Sequence, residues 1–273
     1  MSEKLQKVLA QAGLGSRREL ERWIESGRVN VNGKVAKLGD RVEFKDEVKV
    51  DGRLVKLPDR RERIRVIAYN KPEGEVSTRD DPEGRPTVFK HLPNLQNGRW
   101  VMVGRLDINT AGLLLFTNNG ELANALMHPS GQVEREYVVR IHGAVDDAMV
   151  KRLTDGVLLD DGEARFLKVK VGQGGNTNRW FSVVIAEGRN REVRRLWESQ
   201  GVEVSRLKRI RYGNVEVPSY VRSGEWLELE PDDVKKLCKL VGLRTDVDWS
   251  VTPAEKHKAD RQERKLRSRG PRG

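Results

Sequence analysis

The stretch Gly104–Thr117, GRLDINTAGLLLFT, decides how the rest of the chain is read. Its second half, GLLLFT, is a short unbroken apolar run, which suits a strand buried on both faces better than a half-exposed one. The preceding RWVMVGRLD, residues 99–107, contains a second strand that runs into an irregular turn. Asp107 therefore falls in a loop held between two apolar strands. Read alone, such an aspartate is a turn or capping residue, because its side chain bonds its own loop backbone and Asn109 and Thr110 follow at once. Loops held by rigid strands are also where functional residues concentrate. Arg105, two residues earlier, or a more distant arginine can orient the carboxylate, and spacing alone does not choose between them.

Outward from this loop, residues 64–241 alternate short strands with helices. RVIAYNKP (65–72) reads as a strand halted at Pro72, and REYVVRIHG (135–143) as a strand with Tyr137 and Val139 on one face. Asn119 is placed to cap a helix carrying Leu122, Ala125 and Leu126 until Pro129 stops it. Two candidate strands, 166–171 and 180–186, flank GQGGN (172–176), so those glycines read as a hairpin turn. A phosphate cradle would need the lysine and following helix that are missing here. NREVRRLWESQG (190–201) reads as a helix packing on Val193, Leu196 and Trp197. A mixed α+β domain follows.

The first 60 residues form a different unit. Leu5, Val8, Leu9 and Ala12 recur at helical spacing until Gly13, and Ser16 with Glu19 reads as a capping box opening a second helix that buries Leu20, Trp23 and Ile24. Val29 and Val31 alternate before Asn32-Gly33, the favoured pair for a two-residue hairpin turn. PDRRER (58–63) reads as a linker. Arg17 and Arg18 sit in the first turn of the second helix, where the dipole disfavours positive charge, so local stability does not explain them. With Arg22, Arg28, Lys34 and Lys37 they form either a cationic face for phosphates or an ordinary solvated surface.

Composition narrows the function. Lysine and arginine total 52 against 41 acids over 273 residues, a net charge of +11, which favours a polyanionic partner such as nucleic acid. No apolar run approaches membrane-spanning length and the N-terminus lacks a secretory pattern, so a cytoplasmic protein with no membrane association is expected. One cysteine, Cys238, excludes an internal disulfide, and the four histidines show no metal-ligand spacing, so metal-free chemistry is expected. The last residues, 253–273, carry eight basic residues against three acids without apolar periodicity. They read as a disordered tail making sequence-independent RNA contacts.

Two resemblances sharpen this reading. KLQKVLAQAG and SRRELERWIESGRVNVNGK, within residues 2–60, resemble the S4 RNA-binding domain. VGRLDINTAGLLLFTNNGELANALMHP, EREYVVRI and EGRNREVRRLWES, in this order, resemble the three catalytic motifs of the RsuA/RluB-type bacterial ribosomal-RNA pseudouridine synthases, particularly the large-subunit (23S) members. YNKPEGEVSTRDDPEGRPTVF belongs to the same likeness, which extends to about residue 230.

The resemblance implies a mixed, mainly antiparallel sheet with a cleft for RNA and no cofactor. It places the family aspartate on Asp107 as nucleophile, the active-site tyrosine on Tyr137 and the basic residue on Arg194. The expected organisation is an S4-like domain over 1–60, a catalytic domain over 64–245 and a basic tail over 246–273, acting as a monomer on ribosomal RNA.

The implied reaction breaks the uracil N1–ribose C1′ bond and joins C5 to C1′. A carboxylate can attack C1′ or C6, or act as base in a glycal route, and it must start ionised. A guanidinium at Arg194 would favour that state, and Tyr137 can stack on the base and steer a proton. A stacked uridine must first be flipped out, and Arg79, Arg85, Arg105, Arg189, Arg191 and Arg195 are candidate backbone contacts beside the site. Two other classes remain, a non-catalytic S4-type ribosome-assembly factor and a glycoside hydrolase. The second lacks an evident partner carboxylate.

Overall fold

The computed structural model describes residues 2–58, 62–95, 97–175 and 178–269. In the N-terminal unit, helix Leu5–Gln11 leads to helix Arg17–Glu25, opened by a reciprocal capping box in which the Glu19 amide donates to Ser16 Oγ and the Ser16 amide to the Glu19 carboxylate, both at 3.2 Å. Val29–Val31 turns through Asn32 and Gly33, at φ 50° and 81°, into Lys34–Val35. With Val48–Val50 and Arg53–Leu54 these strands make a small antiparallel sheet. Leu5, Leu9, Leu20, Ile24, Val29 and Val48 form its own core, each side chain contributing roughly 1.5–3 kcal/mol by burial.

The second unit is built on one mixed sheet. Its strands run in the order Lys168–Gly174, Asn178–Ile185, Arg135–His142, Glu203–Tyr212, Ala111–Thr117, Val66–Lys71 and Trp226–Glu228. Val101–Val103 also pairs with Ala111–Thr117, and Val215–Glu216 with Glu203–Tyr212. Pairing is antiparallel except where Ala111 and Gly112 meet Lys208 and Arg209.

The apolar run of the central strand has a structural cause. Leu114 and Phe116 face a core that contains Met149, Leu153, Val193, Leu196 and Trp197, while Leu113 and Leu115 face a second core that contains Leu122, Leu126, Val234 and Leu237. Helices cover both faces, so neither side of the strand can be polar.

Most expected elements appear with small shifts. The helix after Asn119 runs over Gly120–Met127, with the Asn119 side chain accepting from the Glu121 and Leu122 amides, but Ala123 rather than Ala125 is buried. The hairpin strands reach Gly174 and Asn178, further than expected, and residues 176 and 177 at its tip lie outside the described residues, as do 59–61 of the expected linker. The tail differs outright. Residues 253–268 form a helix with its own capping box at Thr252 and Glu255, docked on the second unit through buried Leu266, so a disordered segment is not what these residues form. The inward face is largely polar and docks by hydrogen bonds and ion pairs, which an apolar-periodicity test does not register.

Candidate active site

Asp107 lies in the loop between Val101–Val103 and Ala111–Thr117. Five consecutive carbonyls of that loop are captured. Leu106 O accepts from Ser77 Oγ at 2.6 Å, while the Leu106 amide donates back to the same hydroxyl at 3.2 Å. Asp107 O accepts from Lys71 Nζ at 3.1 Å and from the Thr110 amide at 3.0 Å. Ile108 O accepts from the Gly74 amide at 2.8 Å, Asn109 O from the Arg194 guanidinium at 2.9 Å, and Thr110 O from Lys71 Nζ at 2.9 Å. The Asp107 side chain is itself half-buried, and no hydrogen bond or ion pair occupies its carboxylate among the described residues. The loop backbone is fixed while the carboxylate it carries is left open.

Lys71 is central to this loop and was not singled out from sequence. It ends a strand in which every residue is buried, its side chain has no exposed surface, and Nζ reaches Pro72 O at 2.9 Å as well as the two loop carbonyls. Burial pushes its pKa down to about 8, against the pull of the Glu75, Asp107 and Glu73 carboxylates. A charged residue closing the apolar strand VIAYNK just before proline is the sequence signal that could have found it.

Arg194 is buried near the same loop, but not in the arrangement the sequence suggested. Its guanidinium donates to Val204 O and Asn109 O, both at 2.9 Å, and it forms no ion pair with Asp107 among the described residues. Burial and the Arg191 charge lower its pKa, while Asp107 acts in the opposite direction, so the two groups sense each other through space. Helix Glu192–Glu198 aims Arg194 at two backbone acceptors, and a planar fork matches two carbonyls as readily as one carboxylate.

Tyr137, 7 % exposed, lies on strand Arg135–His142, and its hydroxyl accepts from the Arg209 guanidinium at 3.4 Å. Arg209 was also missed. It is buried, donates to Leu113 O at 2.7 Å, and sits between the Tyr137 and Tyr212 rings at 6.0 and 5.1 Å from their centroids. It faces Gly112, at φ +100°, where a Cβ would stand 2.1 Å from Arg209 O, so only glycine permits this strand pairing immediately after the Asp107 loop.

The candidate RNA contacts divide by what already holds them. Arg17, Arg18, Arg22, Lys34, Lys37 and Arg105 are exposed and form no ion pair among the described residues. Arg28 pairs with Asp51 at 2.5 Å and stacks on Trp23. Arg85 is held by Asp81 at 2.8 Å and Glu83 at 3.0 Å, and Arg195 by the two Asp161 oxygens at 2.8 and 2.9 Å. Arg189 also reaches Asp161, whose pKa falls to about 2, first through its bonds to Arg195. Arg79 donates to Trp100 O over the Phe89 ring, and Arg191 reaches Glu198 at 3.6 Å.

Known proteins share sequence and fold with this chain. Residues 65–199 match the RNA pseudouridylate synthase family and residues 3–48 match the S4 domain. A crystal structure of a pseudouridylate synthase superposes with a TM-score of 0.60 at 27% identity, covering 86% of this chain and 99% of that one. The chain belongs to the RNA pseudouridylate synthase family. Within it, the ribosomal large subunit pseudouridine synthase B of Escherichia coli K12 is 57% identical over 92% of this chain and 87% of its own length. That of Pseudomonas aeruginosa is 55% identical over 97% of this chain and 69% of its own.

Proposed function

We propose that this protein isomerises uridine to pseudouridine in large-subunit ribosomal RNA, with Asp107 as the nucleophile. The observation that carries the reading is the loop whose five carbonyls are held while the Asp107 carboxylate is left free. Membership of the family and the similarity to large-subunit synthases supply the reaction and the substrate. The N1–C1′ bond breaks, the base turns, C5 bonds C1′, and the C5 proton is released as N1 gains one, so oxidation state is unchanged throughout. Arg194 braces the loop through Asn109 O and lends its charge to the ionised carboxylate at a distance. Tyr137, whose oxygen accepts from Arg209, is left to direct its own proton elsewhere, towards the base.

The working unit is an S4-like domain over residues 1–60 followed by a catalytic domain over 64–245. It acts as a monomer, and in the cytoplasm, where bacterial ribosomal RNA is found. Arg17, Arg18, Arg22, Lys34 and Lys37 follow the phosphate backbone, and contacts of this kind offset the few kcal/mol needed to flip the uridine.

The test is to incubate purified protein with pseudouridine-free large-subunit RNA and detect the modified base. Asp107→Asn should abolish product while affinity changes less than about tenfold, because the amide is nearly isosteric but no nucleophile. Turnover by that variant would refute the assignment. RNA binding without product by the wild type would return the chain to the assembly-factor reading.

A further inference from the structure

Helix Pro253–Ser268 has no part in the site described above, and its two faces differ in chemistry. Ala259, Gln262, Glu263 and Leu266, three or four residues apart, turn inward. Gln262 donates to Trp226 O and Tyr220 donates to Glu263, both at 3.0 Å, and Leu266 is 6 % exposed. Arg63 grips Glu255 at 3.1 Å at one end, and Arg269 pairs with Glu225 at the other. The opposite face presents Lys258, Arg261, Arg264 and Lys265, all exposed and none in an ion pair among the described residues. They span about 10 Å at a helical rise of ~1.5 Å per residue.

The direction of this ridge follows from its anchors. Arg63 precedes strand Val66–Lys71, Trp226 pairs with Tyr69, and Glu225 O accepts from the Asn70 amide at 2.9 Å. The helix therefore runs along strand Trp226–Glu228, from the Val66 end of the neighbouring strand towards its Lys71 end, where Lys71 holds Asp107 O. Its C-terminal end is directed to the same end of the strands as the Asp107 loop.

We propose that this docked helix is a preformed cationic ridge that holds the phosphate backbone of the RNA flanking the modified nucleotide. The proposal rests on the reading of the chain as an RNA-modifying enzyme. Charge complementarity favours RNA over an anionic membrane, because an interfacial helix needs an apolar face and Leu266 is turned into the protein. Docking sets the ridge apart from a tethered polycation, since its cations keep a fixed distance from the catalytic loop.

Two variants of the full chain test it, with protein-free large-subunit ribosomal RNA as the probe. The first combines Lys258→Gln, Arg261→Gln, Arg264→Gln and Lys265→Gln, which keeps helix propensity. Affinity should fall at least about tenfold at low salt, and the slope of log affinity against log salt should become shallower by roughly 0.7–0.9 for each phosphate no longer neutralised. The second, Leu266→Asp, leaves those four cations in place but removes the buried anchor, and should lose most of the same affinity. Thermal melts of both variants should retain the main transition of the wild type.

Unchanged affinity in the glutamine variant overturns the ridge. An effect there with none in Leu266→Asp overturns the docked geometry in favour of a loose tail. Loss of binding to phosphatidylglycerol vesicles with RNA binding intact overturns the RNA assignment in favour of a membrane. Assaying pseudouridine in the same samples separates the two readings. Weakened binding in a protein that forms no product leaves the ridge standing without the enzyme, and normal binding with product does the reverse.

Discussion

Lys71 carries a charge to the end of a strand with no exposed residue, and three carbonyls consume its three N–H bonds. Because its pKa falls from 10.5 to about 8 on folding, the unfolded chain binds the proton more tightly between those values. The contribution of Lys71 to stability therefore rises with pH across that window. The order of the Asp107 loop moves the other way, since a neutral amine has two hydrogens for three acceptors. Single-turnover rates on saturating RNA should drop about threefold or more as pH rises from about 7.5 to 9, while the Lys71 contribution to the melting temperature rises rather than falls. A rate that stays flat to about pH 9.5 would show that the ammonium is dispensable. Arg194 acts on the same loop from the other side. Arg194→Met should lower kcat about a hundredfold with little change in KM, and Arg194→Lys should restore only part of it, because one ammonium cannot span Val204 O and Asn109 O as the guanidinium does. Full activity in Arg194→Lys would mean that the geometry of the guanidinium is irrelevant there.

Among the elements, strand Ala111–Thr117 links core and site. It alternates Leu114 and Phe116 into one core with Leu113 and Leu115 into the other, and its first two residues form the parallel pairing with Lys208 and Arg209. That pairing sets where Arg209, and through it the Tyr137 hydroxyl, lies relative to the Asp107 loop. Gly112→Ala would drive a methyl to 2.1 Å from Arg209 O at a positive φ, so the strands must separate. We expect a loss of about 3 kcal/mol or more, lowering the melting temperature by roughly 6–12 °C. Calorimetry checks this, and a variant melting close to the wild type would show that the sheet can yield there.

Over the whole molecule, the net charge of +11 is not spread evenly between working and occupied cations. Arg85, Arg189 and Arg195 already satisfy carboxylates, whereas Arg17, Arg18, Arg22, Lys34 and Lys37 are open to solvent without ion pairs among the described residues. Lys7 joins the two units by pairing with Glu121 at 2.5 Å while also holding Glu3 at 2.8 Å. A part-exposed pair of this kind contributes at most about 1 kcal/mol. Replacing Arg17 and Arg18 together by alanine should make the salt dependence of RNA binding shallower by roughly 0.7–0.9 for each phosphate left without its cation, with kcat on saturating RNA unchanged. Arg85→Ala should barely alter that slope. Filter binding at several salt concentrations would detect the reverse ranking, which would place the RNA on the Asp81 side of the catalytic unit instead.

What depends on near neighbours could be read from the chain before any folding was considered. The Ser16 capping box, the Asn32-Gly33 turn, the Asn119 cap and the buried strand at Leu113–Phe116 each follow from interactions a few residues apart or from a simple period. The motifs around Asp107, Tyr137 and Arg194 were legible for a related reason, being short and contiguous. The surroundings of Asp107 were settled only in three dimensions, because the groups that hold its loop arrive from strands and helices far away in the chain. Lys71 reaches Asp107 O across 36 residues, Ser77 reaches Leu106 O across 29, and Arg194 reaches Asn109 O across 85. No local pattern states which backbone oxygen a buried cation will choose, so Arg194 was expected on a carboxylate and is found on carbonyls. The C-terminal helix escaped for the complementary reason. Its inward face carries Gln262 and Glu263 beside Leu266, and the partners that make this face a packing surface, Trp226 and Tyr220, exist only once the chain has folded.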